Sequence, residues 1–253
     1  MPNHRVDAAS LSLEVKLMPK VAYADAALTV WQGKDALQFI DGLSTNKTVD
    51  MIKGDIRQTV FTSSKAKIID LATVFHMGEF LAVLTHKSQL ESLLKHITPR
   101  ILDQDVSIAD VSSRNIFGIE YGCSNSKVGY YESHGGETYG YVDQQYTIIV
   151  ASLDTGAVFD TELKPFHEWR IENQIPWNGY EISNKYHPLS AGLENLVHPQ
   201  KGCYIGQEVL VRMTSRGKQG KKLVKIDNGD VEQKSITTNG EHQSLAIVRD
   251  VNQ

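Results

Sequence analysis

The chain has 253 residues with a net charge of −4 at pH 7, 41% hydrophobic and 22% charged, an ordinary globular balance. That length can bury a sizeable core as one large domain or two to three small ones, and the charge supplies no global attraction to nucleic acid or an anionic membrane. No apolar run approaches the ~20 residues that span a bilayer, and the N-terminus, mixing Arg5, Asp7 and Glu14, reads as neither signal nor transit peptide.

In chain order, Leu11-Ser-Leu-Glu-Val-Lys-Leu17 alternates like a strand. From Lys34 to Gly42, Ala36, Leu37 and Ile40 recur at helical spacing, with Asp35 placed as a cap and Gly42 placed to end the helix. Strand-like runs follow at 58–62, 68–76 and 80–85, and the turn His76-Met-Gly-Glu79 predicts an antiparallel hairpin from the last two. Ser88-Gln-Leu-Glu91 has the form of a capping box opening a helix with Leu90, Leu93, Leu94 and Ile97 on one face and Pro99 at its stop. Strand character resumes at 106–111 and 115–121, the polar, glycine-rich stretch 122–140 predicts loops or a domain edge, and 141–151 predicts a further strand. Pro165 can open a short helix running through Trp169 to Glu172. From Leu223 the chain reads as short strands around Asn228-Gly229 and Asn239-Gly240. Strands and helices without a regular βαβ repeat predict an α+β fold.

The two cysteines, Cys123 and Cys203, belong to no C-x-x-C pair. A disulfide framework and a self-contained metal site are therefore not expected, and a reducing cytoplasm is the expected setting. The nine histidines show no H-x-x-x-H spacing. Trp31, Trp169 and Trp177 offer stacking surfaces, although core packing is the commoner fate of tryptophan. Between Arg212 and Lys225 lie six cations and no acid. A solvated loop is the commoner meaning; attraction of an anionic ligand tail or an RNA backbone is the sharper one, and the overall acidic charge counts against RNA.

Unusual residue types concentrate in His198-Pro-Gln-Lys-Gly-Cys-Tyr-Ile-Gly-Gln-Glu-Val-Leu-Val-Arg-Met213. Gly202 and Gly206 permit close backbone approach or positive φ. Lys201, two residues from Cys203, favours a thiolate if the side chains converge. A helix from Gly206 would align Ile205, Val209 and Met213 and set Glu208 four residues before Arg212. By spacing alone a tight turn before a core helix, with Cys203 simply buried, is the commoner arrangement.

Lys201-Gly-Cys-Tyr-Ile-Gly-Gln-Glu208 resembles the K-G-C-Y-x-G-Q-E signature of YgfZ-type folate-binding proteins, paralogues of the glycine-cleavage T-protein. Residues 33–46 resemble the family's G-x-D-A…F-L-Q-x-L-x-T-N, residues 169–176 its R-I-x-x-G-I-P, with Gln174 where glycine is usual, and Arg212–Gly217 its R-x-x-x-R-G. The resemblance implies antiparallel sheets and packed helices around a central folate site in residues 1–220, closed by an abbreviated β-barrel-like segment at 221–253. It implies tetrahydrofolate or a one-carbon-substituted derivative as cofactor, with Lys201, Gly202, Tyr204, Gly206, Gln207, Glu208, Asp70 and Arg170 as binding residues and Cys203 and Asp70 as candidate catalytic groups. The role implied is assistance to iron–sulfur protein assembly or repair in the cytoplasm, with assembly or client proteins as partners and neither nucleic acid nor membrane. Aminomethyl transfer and a non-enzymatic interaction role are the alternatives. T-proteins carry G-G-x-x-D-D where this chain has Ala66-Lys-Ile-Ile-Asp70-Leu71, which leaves one carboxylate to position or protonate an amine nitrogen. The acidic residue usual in the P-x-E-A-G-L-like stretch is Ser190 here.

Overall fold

The computed structural model describes residues 18–215, 220–230 and 232–250. In order these form β1 (Lys20–Ala22), β2 (Ala26–Gln32), α1 (Ala36–Leu43), β3 (Ile56–Thr62), β4 (Ile68–His76), β5 (Leu81–His86), α2 (Lys87–Ile97), β6 (Ser107–Asp110) and β7 (Asn115–Tyr121). Then come β8 (Tyr131–His134), β9 (Glu137–Gly140), β10 (Tyr146–Ser152), α3 (Lys164–Glu172), α4 (Gln207–Ser215), β11 (Lys221–Asp227), β12 (Ile236–Asn239) and β13 (Gln243–Arg249). The strand predicted at Leu11–Leu17, and Arg216 and Gly217 of the R-x-x-x-R-G match, lie outside the described residues.

Three antiparallel sheets result, with strand orders β3-β4-β5-β2-β6, β1-β7-β10-β9-β8 and β11-β13-β12. Antiparallel sheets joined by a few helices make the fold α+β, as the element pattern predicts. The last sheet has three strands, and the described residues form no closed barrel.

Sheet one is buried on both faces. On one side α1 and α2 pack Phe39, Ile40, Leu93 and Ile97 against Trp31, Phe61, Val74 and Val83. On the other, Ile56, Phe75 and Leu84 meet Phe117, Ile119 and Ile148 of sheet two and Phe166 of α3. This double burial explains why β2 escapes sequence reading: Ala-Ala-Leu-Thr-Val-Trp shows no polar–apolar alternation because neither face meets water.

Several local expectations are corrected. Gly42 does not end α1, which runs one residue past it and stops where Ser44 turns extended, its hydroxyl bonded to the Ile40 carbonyl at 2.8 Å. Asp35 occupies the N-cap position, but its carboxylate accepts from the Asp105 amide at 2.8 Å across the loop. The Ser88–Glu91 capping box does not form. The helix starts one residue earlier, Ser88 Oγ lies 2.8 Å from His86 Nδ1, and Glu91 pairs with Lys95. The stretch 122–140, predicted as loops, contains the hairpin β8–β9, turned by Gly135 and Gly136 at φ of 61° and 81°.

Candidate functional site

The Lys201–Glu208 segment divides into an anchored and an exposed half. Lys201 is fully buried in its side chain. Its ammonium donates to the carbonyls of Asp41 (2.6 Å), Ser44 (2.8 Å) and Asn46 (2.8 Å) and lies 3.3 Å from Asp41 Oδ2. Three carbonyls use its three N–H groups. Burial lowers the Lys201 pKa while Asp41 opposes the shift. The ammonium is thus committed to the loop after α1, and the proposed convergence with Cys203 does not occur. Tyr204, 5.2 Å below the ammonium, packs with Ala66, Leu189 and Leu210, and burial pushes its hydroxyl up to about 12.

Gly206 has φ +86°, and a Cβ there would lie 2.7 Å from the Ser63 carbonyl oxygen and 3.0 Å from Ala66 Cα. Thr62 Oγ1 donates to the neighbouring Ile205 carbonyl. Only glycine lets this turn into α4 press onto the β3–β4 loop. Gly202, Cys203 and Glu208 are exposed, and Glu208 pairs with Arg212 at 2.5 Å along α4. The motif is therefore a clasp whose Lys201, Tyr204 and Gly206 hold the thiol of Cys203 and the polar ends of Gln207 and Glu208 at the surface.

Asp70 lies elsewhere, on β4, 1% exposed. Its carboxylate oxygens accept from the Leu71 and His86 amides, each at 2.9 Å. Those bonds favour the charged form, but burial outweighs them and raises the pKa to about 8. At neutral pH the group is mostly a carboxylic acid, able to donate as well as accept. Asp70 is close enough to Tyr23 to interact with it electrostatically, and Tyr23 belongs to an aromatic cage. Tyr23 and Trp177 are 4.9 Å apart between ring centroids, Trp177 is 6.5 Å from Tyr146 and 4.9 Å from Phe166, and Trp169 stacks on Phe166 at 5.9 Å. Asn178 donates to the Tyr23 hydroxyl at 3.1 Å, and Gln58 reaches Tyr146 at 3.4 Å. Tyr23, Trp177 and Asn178 separate two cavities of about 20 and 70 Å³. Leu71 and His86, the amide donors to Asp70, line one each.

Arg170, predicted for the folate pocket, is a fully buried buttress. It donates to Glu181 Oε2 (3.0 Å), the Ile175 carbonyl (2.9 Å) and Thr238 Oγ1 (2.8 Å). Glu181 in turn accepts from the Trp177 amide at 3.0 Å and from Thr237 and Thr238 at 2.6 Å. The pair ties α3 to β12 and fixes the backbone of Trp177. Trp31 is core, 1% exposed beside Phe39 and Phe61. The structure thus groups Lys201, Tyr204 and Gly206 in one clasp, buries Asp70 near Tyr23 of the cage, and gives Arg170 to the frame. Sequence reading missed Tyr23, His86, Asn178 and Glu181. These are isolated polar residues in unlike contexts, with no spacing signal to unite them.

The cage chemistry suits a folate: flat aromatic walls, side-chain amides and one buried carboxyl match a ring system edged with hydrogen-bonding nitrogens. Its free volume does not, because pockets for molecules of that size run to roughly 300 Å³ or more. In this conformation the cage admits water only. A pterin would need the Tyr23 and Trp177 rings to part.

No family model matches the chain. Over 215 residues it is 24% identical to a chloroplast protein of Arabidopsis thaliana named as a transferase, covering 72% of this chain and 49% of that one. It is 24% identical to an aminomethyltransferase of Caldanaerobacter subterraneus (76% of this chain, 61% of that one). To the tRNA-modifying protein YgfZ of Serratia proteamaculans it is also 24% identical (80% and 69%). The chain thus aligns with about half to two thirds of these relatives' lengths. The solved aminomethyltransferase of the glycine cleavage system from Bartonella henselae superposes with a TM-score of 0.75 at 13% identity, over 92% of this chain and 78% of that one. The chain is thus similar to YgfZ proteins and aminomethyltransferases at low identity, and it shares the fold of the latter.

Proposed function

We propose that the chain binds tetrahydrofolate, or a one-carbon-substituted derivative, in the cage near Asp70, and serves iron–sulfur protein assembly or repair. The observation that carries the reading is the buried Asp70 carboxyl close to Tyr23, which forms an aromatic cage with Trp177 and Tyr146, in a chain similar to YgfZ proteins and aminomethyltransferases. When bound, the folate supplies a one-carbon carrier. The chain's own residues sandwich its rings, present hydrogen-bond partners from Asn178 and Gln58, and hold a proton at Asp70 at neutral pH. Residues 1–220 are the binding core in this reading and 221–253 the closing segment. Lys201, Tyr204 and Gly206 act as scaffold, so that Cys203, Gln207 and Glu208 form the face turned to client proteins.

Aminomethyl transfer is the less favoured function. A single buried carboxyl that is mostly neutral at pH 7, with Leu71 in place of a second, is poorly suited to position a cationic donor. Titration of the purified protein with tetrahydrofolate under reducing conditions, followed by tryptophan fluorescence, tests the folate reading. Binding in the micromolar range should quench Trp177 and Trp169 and be lost in Trp177→Ala. Absence of both a fluorescence change and a thermal shift at millimolar ligand removes it.

A further inference from the structure

A second site lies beside Met213 of α4 and owes nothing to the folate reading. Lys67 from the β3–β4 loop, Lys185 and His187 from the loop before a short 3₁₀ turn, and Lys221 and Arg249 from the C-terminal sheet line one pocket of about 320 Å³. No carboxylate lines it among the described residues. In a chain with net charge −4, five basic side chains converge from three separate parts of the fold.

The arrangement is held by the backbone rather than by chance rotamers. Lys221 and Arg249 are direct cross-strand partners, so they leave the same face of the sheet with Cβ atoms about 5 Å apart, a pairing that repels when both are charged. The Lys67 ammonium is anchored at 2.8 Å on the Lys185 carbonyl, which brings the two lysines to the same rim. Lys221 sits 5.9 Å over the Tyr186 ring, and that ring provides an apolar wall. Lys222, the next residue along β11, pairs with Asp250 at 3.0 Å. A carboxylate is therefore within reach of the strand, yet among the described residues none lines the pocket. The repulsion registers within the cluster: burial and then Lys221 lower the Lys67 pKa, and burial and then Lys67 lower that of His187.

We infer that this pocket binds a ligand carrying clustered phosphate groups, with Lys67, Lys185, Lys221 and Arg249 as its cationic contacts and Tyr186 as a flat wall. Phosphates suit it because an arginine can fork onto two oxygens while lysines act as point charges around them. The same chemistry can come from a free phosphorylated small molecule or from a phosphodiester chain.

Calorimetry on the whole chain at physiological ionic strength separates these sources, with inorganic pyrophosphate and a short 5′-phosphorylated oligoribonucleotide as probes. Both should bind, and affinity should fall about tenfold for each cation removed in Lys221→Ala and Arg249→Ala. Oligoribonucleotide binding no tighter than pyrophosphate assigns the site to a free ligand; much tighter binding assigns it to a phosphodiester chain. The melting temperature without ligand should hold or rise in Lys221→Ala, because a like-charge pair is relieved. Should either variant fail to fold, Lys185→Ala, on an exposed loop, carries the same expectation. Failure of both probes to bind overturns the inference, as does binding that is unchanged in the folded variants. Neither result bears on the folate cage, whose test is the tryptophan titration.

Discussion

Lys201 and Asp41 meet twice. The ammonium donates to the Asp41 carbonyl at 2.6 Å and stands 3.3 Å from its carboxylate, across 160 residues of sequence. The carboxylate is oriented in turn, accepting from the Thr48 amide at 2.7 Å. This contact joins the signature segment to the last turn of α1, and it decides what the signature lysine does.

Lys201→Ala should destabilise the fold by about 3 kcal/mol, because three carbonyls and a largely buried carboxylate lose their cation. Urea unfolding of the purified variant measures this. The same variant should leave the alkylation rate of native Cys203 within twofold of the parent rate. A large drop would mean that the ammonium activates the thiol after all.

Gly206→Ala should cost about 2 kcal/mol or more, since the backbone is left-handed there and a methyl would collide with the Ser63 carbonyl. Gly202→Ala is the control. Nothing lies within 4 Å of a Cβ at Gly202, so its melting temperature should stay near the parent value. Equal effects at the two positions would show that the turn is not built as described.

Cys203 should alkylate well before Cys123 at neutral pH. Cys203 is exposed, whereas Cys123 is half-buried, 3.8 Å from the Thr147 hydroxyl, with its pKa raised by burial. Peptide mapping after brief labelling reads the order directly. Prior labelling of Cys123 would contradict it.

Asp70 should make stability depend on pH. Its carboxyl, ordinarily near 3.8, rises to about 8 in the folded chain, so between those values the unfolded state releases a proton that the folded state retains. Stability from this group is then complete below the lower value and is lost as pH rises through the upper one. Asp70→Asn cannot ionise. Its melting temperature relative to the parent should therefore climb between pH 5 and 8.5. A constant difference across that range would place the Asp70 proton elsewhere.

Local pattern was sufficient wherever neighbouring residues share one environment. The strand β4, with its hairpin to β5, the helix α3 behind Pro165 and the glycine-bounded turn into α4 follow from alternation, helical spacing and punctuation. The eight-residue signature carried the resemblance to YgfZ proteins and aminomethyltransferases, because a string that specific stands out at low overall identity. The central strand β2 was not legible, since burial on both faces erases the period that marks a strand.

Residue roles needed the tertiary structure. In sequence Lys201 stands beside Cys203, yet its partners come from residues 41 to 46. Arg170 belongs to a folate-family motif, yet its charge is answered by Glu181 and Thr238. The cage draws Tyr23, Tyr146 and Trp177 from three distant segments, and the cationic pocket draws on residues from 67 to 249. Sequence determines which groups exist and how neighbours fold. Which charge faces which carbonyl depends on contacts between segments far apart in the chain, and only the packed core brings those segments together.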